Sequence, residues 1–143
     1  VSTIFNAQTG AAISLSQPTG IGGTRPDYVG GKPILDNYRQ TLVYLNPAAF
    51  AAVPENNLGN AIRLGNLGRN ALRGPGRWNA DVSFGKNFTM KERYRFQIRT
   101  ELFNAFNHTN YSGPSTNIEA ANFGRITSTA GAREIQLNAR FVF

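Results

Sequence analysis

Four arginines, Arg63, Arg69, Arg73 and Arg77, surround the glycine-rich run Gly65–Gly76. Guanidinium groups beside glycine backbone amides have the chemistry of an anion cradle, because both present N–H donors to an oxyanion. The run lacks the Gly-Lys-Ser/Thr ending of a phosphate-binding loop. Gly74-Pro75-Gly76 reads as punctuation before a strand, so the segment is taken first as a turn-rich loop, with its arginines as candidate anion contacts. His108 is the single histidine and there is no cysteine. That leaves no His-rich or thiolate metal set, and no cofactor is expected. His108 is expected to cap a loop in its Asn-rich surroundings. Asp81 and Glu101 suit cross-strand ion pairs with Arg95 and Arg99. Nothing brings two carboxylates together as hydrolysis requires, so the chain is expected not to be an enzyme.

The net charge is +7 and the sequence pI about 10.4. Such a balance suggests phosphate-bearing partners, whether nucleic acid, anionic lipid or lipopolysaccharide. The charges are spread along the chain, however, and the favoured reading makes them the polar face of a sheet. Nucleic acid is disfavoured, because the aromatics alternate with other apolar residues in a stripe and do not stand out as stacking platforms. Asn87-Phe88-Thr89, Asn107-His108-Thr109 and Asn110-Tyr111-Ser112 match the glycosylation pattern, which an Asn-rich chain produces by chance.

The elements that would carry these groups are strands. Glu134, Gln136, Asn138 and Arg140 alternate with Ile135, Leu137, Ala139, Phe141 and Phe143, so the terminal stretch 132–143 reads as one strand with an apolar and a polar face. Trp78, Ala80, Val82, Phe84 and Phe88 share a face over Arg77–Phe88, which Lys86 interrupts. Tyr94, Phe96, Ile98, Thr100 and Leu102 share one in the next stretch, and a turn at Thr89–Glu92 makes the two a hairpin spanning 77–103. Leu102, Phe103 and Phe106 also match helical spacing, so the strand is expected to end near a helical turn. Val1–Ser16 reads as a hairpin or as one long strand bulged at Gly10. Residues 17–76 read as loop, punctuated by Pro18, Gly20, Gly22, Gly23, Pro26, Gly30, Gly31 and Pro33, with a short strand at Thr41–Leu45. A structureless loop of that length is uncommon, so part of it should be packed or functional. A further short strand is expected at Phe123–Thr129 and a turn at Ala130-Gly131-Ala132.

Alternation alone fits a soluble antiparallel sheet with one buried face at least as well as a membrane wall. No run reaches the roughly 18 apolar residues of a transmembrane helix, so a membrane role would require a β-barrel. The start at Val1, without Met, reads as a processed chain or a piece of a longer one.

Several segments decide between these readings. They are FNAQTG at Phe5–Gly10, TRPDYVG at Thr24–Gly30, LNPAAFA at Leu45–Ala51 and GNLGRNALRGPG at Gly65–Gly76. WNADVSFGKNF at Trp78–Phe88, ELFNAFNHTNY at Glu101–Tyr111, NFGRITST at Asn122–Thr129 and the terminal AREIQLNARFVF continue the series. In this order they resemble the C-terminal part of TonB-dependent outer-membrane receptors, in particular the large ones with an N-terminal carboxypeptidase-regulatory-like domain. The resemblance implies a barrel of about 22 strands with a plug, energised ligand uptake, a bacterial outer-membrane or cell-surface location, and an assembly signal in the terminal strand at Ile135, Leu137, Phe141 and Phe143.

The expected fold is therefore all-β: a single segment over 1–143, an antiparallel meander of about five or six strands with long loops. Closing a barrel takes about eight strands or more, so this is an incomplete barrel whose two edges need partner strands. Those partners are the remaining strands of a larger barrel or identical copies of the chain. The second case gives the alternative function, a structural subunit of a self-assembling extracellular filament.

Overall fold

The computed structural model describes residues 1–19, 23–90 and 94–143. Gly20 and Gly22 of the expected loop, and Lys91 and Glu92 of the expected hairpin turn, lie outside the described residues. The single segment expected over 1–143 is divided into two compact units, one of residues 1–8, 76–110 and 130–143 and one of residues 9–75 and 111–129.

The first unit is a sheet built where the sequence alternates. Its strands are β1 (Ser2–Gln8), β2 (Arg77–Met90), β3 (Tyr94–Phe103) and β4 (Glu134–Val142). They lie side by side in chain order, each antiparallel to its neighbour, so the sheet is the expected meander. The remaining strand segments among the described residues are only two residues long. Register is fixed by the apolar pattern: Phe84 faces Thr100, which faces Leu137, and Phe88 faces Phe96, which faces Phe141. A slip of one residue would move every one of these side chains to the other face.

β3 ends at Asn104, whose φ of 49° leaves the strand region. The short polar side chain of asparagine tolerates that left-handed conformation. Here it also binds the turn: the Asn104 amide donates to the His108 and Gly131 carbonyls (3.0 and 3.1 Å) and accepts from the His108 N–H (2.9 Å). The helical spacing of Leu102, Phe103 and Phe106 is thus realised as a single hydrogen-bonded turn, closed by Asn107 N–H to the Asn104 carbonyl at 2.8 Å.

The second unit holds most of the expected loop, and it is folded around a core. Ile13, Leu15, Tyr44, Leu45, Phe50, Leu67, Phe123 and Ile126 are buried together, with Leu45 fully enclosed. Phe50 meets Phe123 edge-on, and Tyr38 meets Tyr44 and Tyr111 in the same way. Regular structure is scarce: Ala12–Ile13 pairs with Leu72–Arg73, Asp27–Tyr28 pairs with Phe50–Ala51, and a one-turn helix spans Tyr38–Thr41. The strand expected at Thr41–Leu45 is replaced by the end of that helix, with Leu42 at φ 58° and only isolated bridges at Val43 and Leu45. The strand expected over Phe123–Thr129 is not formed: Phe123 and Gly124 lie in a turn, Arg125 makes an isolated bridge to Val43, and ladder pairing begins only at Thr129–Ala130. The alternation over Val1–Ser16 gives neither a hairpin nor one bulged strand. β1 stops at Gln8, and at Gly10 the chain passes so close to the Gly74 carbonyl that any side chain would overlap it.

With so few ladders, side chains satisfy the buried backbone. Gln17 is 1% exposed; its amide donates to the Val53 carbonyl at 3.0 Å and accepts from the Val53 N–H at 2.7 Å. Asn66 does the same for Tyr28, accepting from its N–H and donating to its carbonyl. Asp27 takes both terminal nitrogens of Arg63 (2.9 and 2.5 Å) and the Asn66 N–H at 3.0 Å. These donors, the Arg63 guanidinium first, lower the Asp27 pKa from 3.8 to about 2.

A folded pKa below the unfolded one means that the pair stabilises the unit above the unfolded value and that this contribution disappears as pH falls through the folded one. Acid titration should therefore loosen the second unit between about pH 4 and pH 2. In Asp27→Asn that transition should be absent. Protease susceptibility against pH reads both, and an unchanged acid profile in the variant would contradict the assignment.

Candidate membrane-facing sheet and its polar face

Register sorts the sheet into two chemically opposite faces. On one lie Thr3, Phe5 and Ala7 of β1 beside Val82, Ala80 and Trp78 of β2. On the same face β2 continues with Phe84, Lys86, Phe88 and Met90, opposite Thr100, Ile98, Phe96 and Tyr94 of β3. β4 completes it with Ile135, Leu137, Ala139 and Phe141 opposite Leu102, Thr100, Ile98 and Phe96. This face is largely exposed: Phe5 63%, Leu137 74% and Phe141 52%. An apolar surface of this extent is too large for an ordinary water-facing sheet.

Apart from Phe84, midway along it, the aromatics of this face gather at its two ends. Trp78 packs against Phe5 (6.0 Å between ring centres) and Phe106, and stacks on His108 at 4.2 Å. At the other end Phe88 meets Phe96, and Phe141 stacks on Tyr94 and Phe143. Trp78 and Phe88 are ten residues apart on one strand. At about 3.3 Å per residue and a tilt of about 40° this spans roughly 25 Å, the height of the apolar band of a transmembrane barrel flanked by its aromatic girdles.

Among the described residues Lys86 is the one charge on the apolar face, and its ammonium lies 5.9 Å from the Phe88 ring centre, toward the aromatic end. Its stem thus covers apolar surface while the charge leans out of the band. Removing that charge should help insertion: Lys86→Leu is expected to favour the folded membrane form by about 1–2 kcal/mol, intermediate between midplane and interface costs. Urea titration in lipid vesicles measures it, and a loss of stability would contradict the placement.

The opposite face is mainly polar: Asn79, Asp81, Ser83, Gly85, Asn87 and Thr89 of β2, Arg95, Gln97, Arg99 and Glu101 of β3, and Gln136, Asn138 and Arg140 of β4, with Ile4, Phe103 and Val142 as its apolar members. Arg99 pairs with Glu101 at 2.7 Å. Asp81 is held differently from the cross-strand expectation: its carboxylate accepts from Asn79 (2.8 Å) and from the Asn104 N–H (2.9 Å). Near the end of the face lies a cleft of about 430 Å³ lined by the polar Asn87, Thr89, Arg95, Gln97 and Arg140 together with Phe96 and Val142. Sequence reading did not single it out, because Arg140 is brought beside Gln97 only by register.

The terminal-strand residues Ile135, Leu137, Phe141 and Phe143 are all exposed on the apolar side. The four loop arginines are not equivalent. Arg77 opens β2 in the sheet unit, whereas Arg63, Arg69 and Arg73 belong to the second unit. Arg63 is engaged by Asp27, which raises its pKa further. The His108 ring is a stacking partner of Trp78. The backbone of Trp78 is held by Asn110, whose amide accepts from its N–H at 3.0 Å and donates to its carbonyl at 2.9 Å.

No helix among the described residues is long and apolar enough to cross a membrane, so any crossing falls to the strands. An antiparallel meander with an exposed apolar face, aromatic ends and a polar reverse side defines a class, the wall of a transmembrane β-barrel. A family model described as "Outer membrane beta barrel domain" matches residues 1–136. The chain belongs to that family and is an outer-membrane β-barrel protein. No curated protein and no solved structure matches it.

Proposed function

We propose that the chain is the C-terminal barrel segment of a TonB-dependent receptor-like protein and takes part in ligand uptake as part of the full barrel. The observation that carries this reading is the exposed apolar face of about bilayer height, set against a polar face suited to a water-filled lumen. The ordered series of segments from FNAQTG to the terminal Phe143 supports the receptor group in particular.

Strand direction gives the orientation. β2 and β3 are joined by the three residues 91–93, whereas 9–76 and 104–133 leave from the opposite end of the sheet. Short turns of such barrels are periplasmic and long connections extracellular. Phe143 then lies on the periplasmic side, and lipid or lipopolysaccharide borders the apolar face.

A second reading rests on the sheet edges. β1 pairs only with β2, and β4 only with β3, so each has one side without a partner among the described residues. In lipid such edges must be paired. The remaining strands of a larger barrel would pair both. Identical copies would too, because β1 and β4 run in opposite directions, and a non-closing series would be a filament. Electron microscopy and gel migration of native material separate the two. Discrete detergent-bound particles that migrate differently before and after heating are expected, and regular filaments in plain buffer would overturn the receptor reading.

A further inference from the structure

We infer that the polar face carries a binding strip for small oxyanions at its short-turn end, built on Arg95 and Arg140. This rests on the reading that the polar face meets water. The two guanidinium groups line the same cleft of about 430 Å³, with Asn87, Thr89 and Gln97 as further hydrogen-bond donors. Register explains the convergence: Thr89 faces Arg95, while Asn87 faces Gln97, which faces Arg140.

Charge along the face is uneven. Its carboxylates, Asp81, Glu101 and Glu134, all lie toward the end where the long connections leave, and Arg99, the next arginine along, is already paired with Glu101. The ion pairs among the described residues are Lys32–Asp36, Arg63–Asp27 and Arg99–Glu101, so neither Arg95 nor Arg140 has a carboxylate partner there. Two planar donor forks and three neutral donors in one concavity suit a phosphate or carboxylate group, which guanidinium binds bidentately. A concave wall of one sign also concentrates such solutes locally. The basic balance of the chain thereby acquires a specific ligand chemistry, away from the Gly65–Gly76 loop.

The test uses the intact barrel that carries this chain, in detergent, with calorimetric titration of inorganic phosphate and, separately, succinate at low ionic strength. Saturable binding is expected, and the two arms show whether the strip takes phosphate, carboxylate or both. Arg95→Gln/Arg140→Gln should weaken it about tenfold or more, while Arg39→Gln in the second unit should leave it within about twofold. Arg95→Lys/Arg140→Lys should retain part of the affinity, since charge is kept and only the fork is lost. Absence of saturable binding in the unaltered protein, equal binding in the Gln double variant, or an equal loss in Arg39→Gln would overturn the inference. Heat-dependent gel migration reports insertion independently, so failure of the strip and failure of the barrel reading appear in different measurements.

Discussion

Leu137→Arg is expected to cost about 2–4 kcal/mol of membrane insertion, a shift of roughly 30- to 1000-fold in the folded population. Leu137 is 74% exposed and sits in the row Phe84–Thr100–Leu137, midway along the apolar band. A guanidinium there would meet hydrocarbon with no partner on the same face. Asn138→Arg places the same charge one residue on, beside Arg99 on the polar face, and should stay within about 0.5 kcal/mol, because that side is hydrated. Urea titration in lipid vesicles gives both values. Equal losses in the two variants would mean that the strand senses no difference between its faces, and the assignment of lipid to one of them would fail.

Gln17→Ala should be the most damaging polar-to-alanine change in the second unit. The Gln17 amide bonds both backbone groups of Val53 and donates to Glu55 at 3.1 Å, from a site that is 1% exposed. Truncation leaves a buried N–H and a buried carbonyl without partners, each costing about 1–3 kcal/mol, so a total loss of about 2–6 kcal/mol is expected. That is a large part of the stability of an ordinary domain. Gln40→Ala, on the exposed side of the one-turn helix Tyr38–Thr41, should cost almost nothing. Limited proteolysis within 9–75 measures the difference. If the segment were an open loop, both variants would be cleaved at the same rate as the unaltered chain.

These two residues also mark the limits of what the sequence reveals. Leu137 could be placed from sequence because a strand repeats every two residues, and the pattern writes its face locally. For the same reason the expected strands over Arg77–Phe88, through Leu102 and over 132–143 lie within about two residues of β2, β3 and β4. Alternation could not say what the face meets, since a buried sheet and a lipid-facing one share the period; the family match over residues 1–136 is what assigns the chain to an outer-membrane barrel. Gln17 was invisible because its partner stands 36 residues away and no period connects them. Asp27 and Arg63 form their ion pair across the same separation. An irregular unit stores its information in such pairs, and a reading based on periodicity and turn residues returns only loop. The Arg95–Arg140 cleft falls between these cases: the polar face was legible, but its convergent donors required the register of β3 with β4.

The account turns on two solvents for one sheet, lipid on the side of Leu137 and water on the side of Asn138. Nitroxide labels placed singly at each position from 135 to 141 of β4, with the protein in lipid vesicles, test this most directly through collision with oxygen and with a water-soluble nickel complex. The predicted result is a two-residue period in both profiles, opposite in phase, with oxygen maxima at Ile135, Leu137, Ala139 and Phe141 and nickel maxima at Gln136, Asn138 and Arg140. Profiles that rise and fall together, or oxygen maxima on the polar positions, would contradict it.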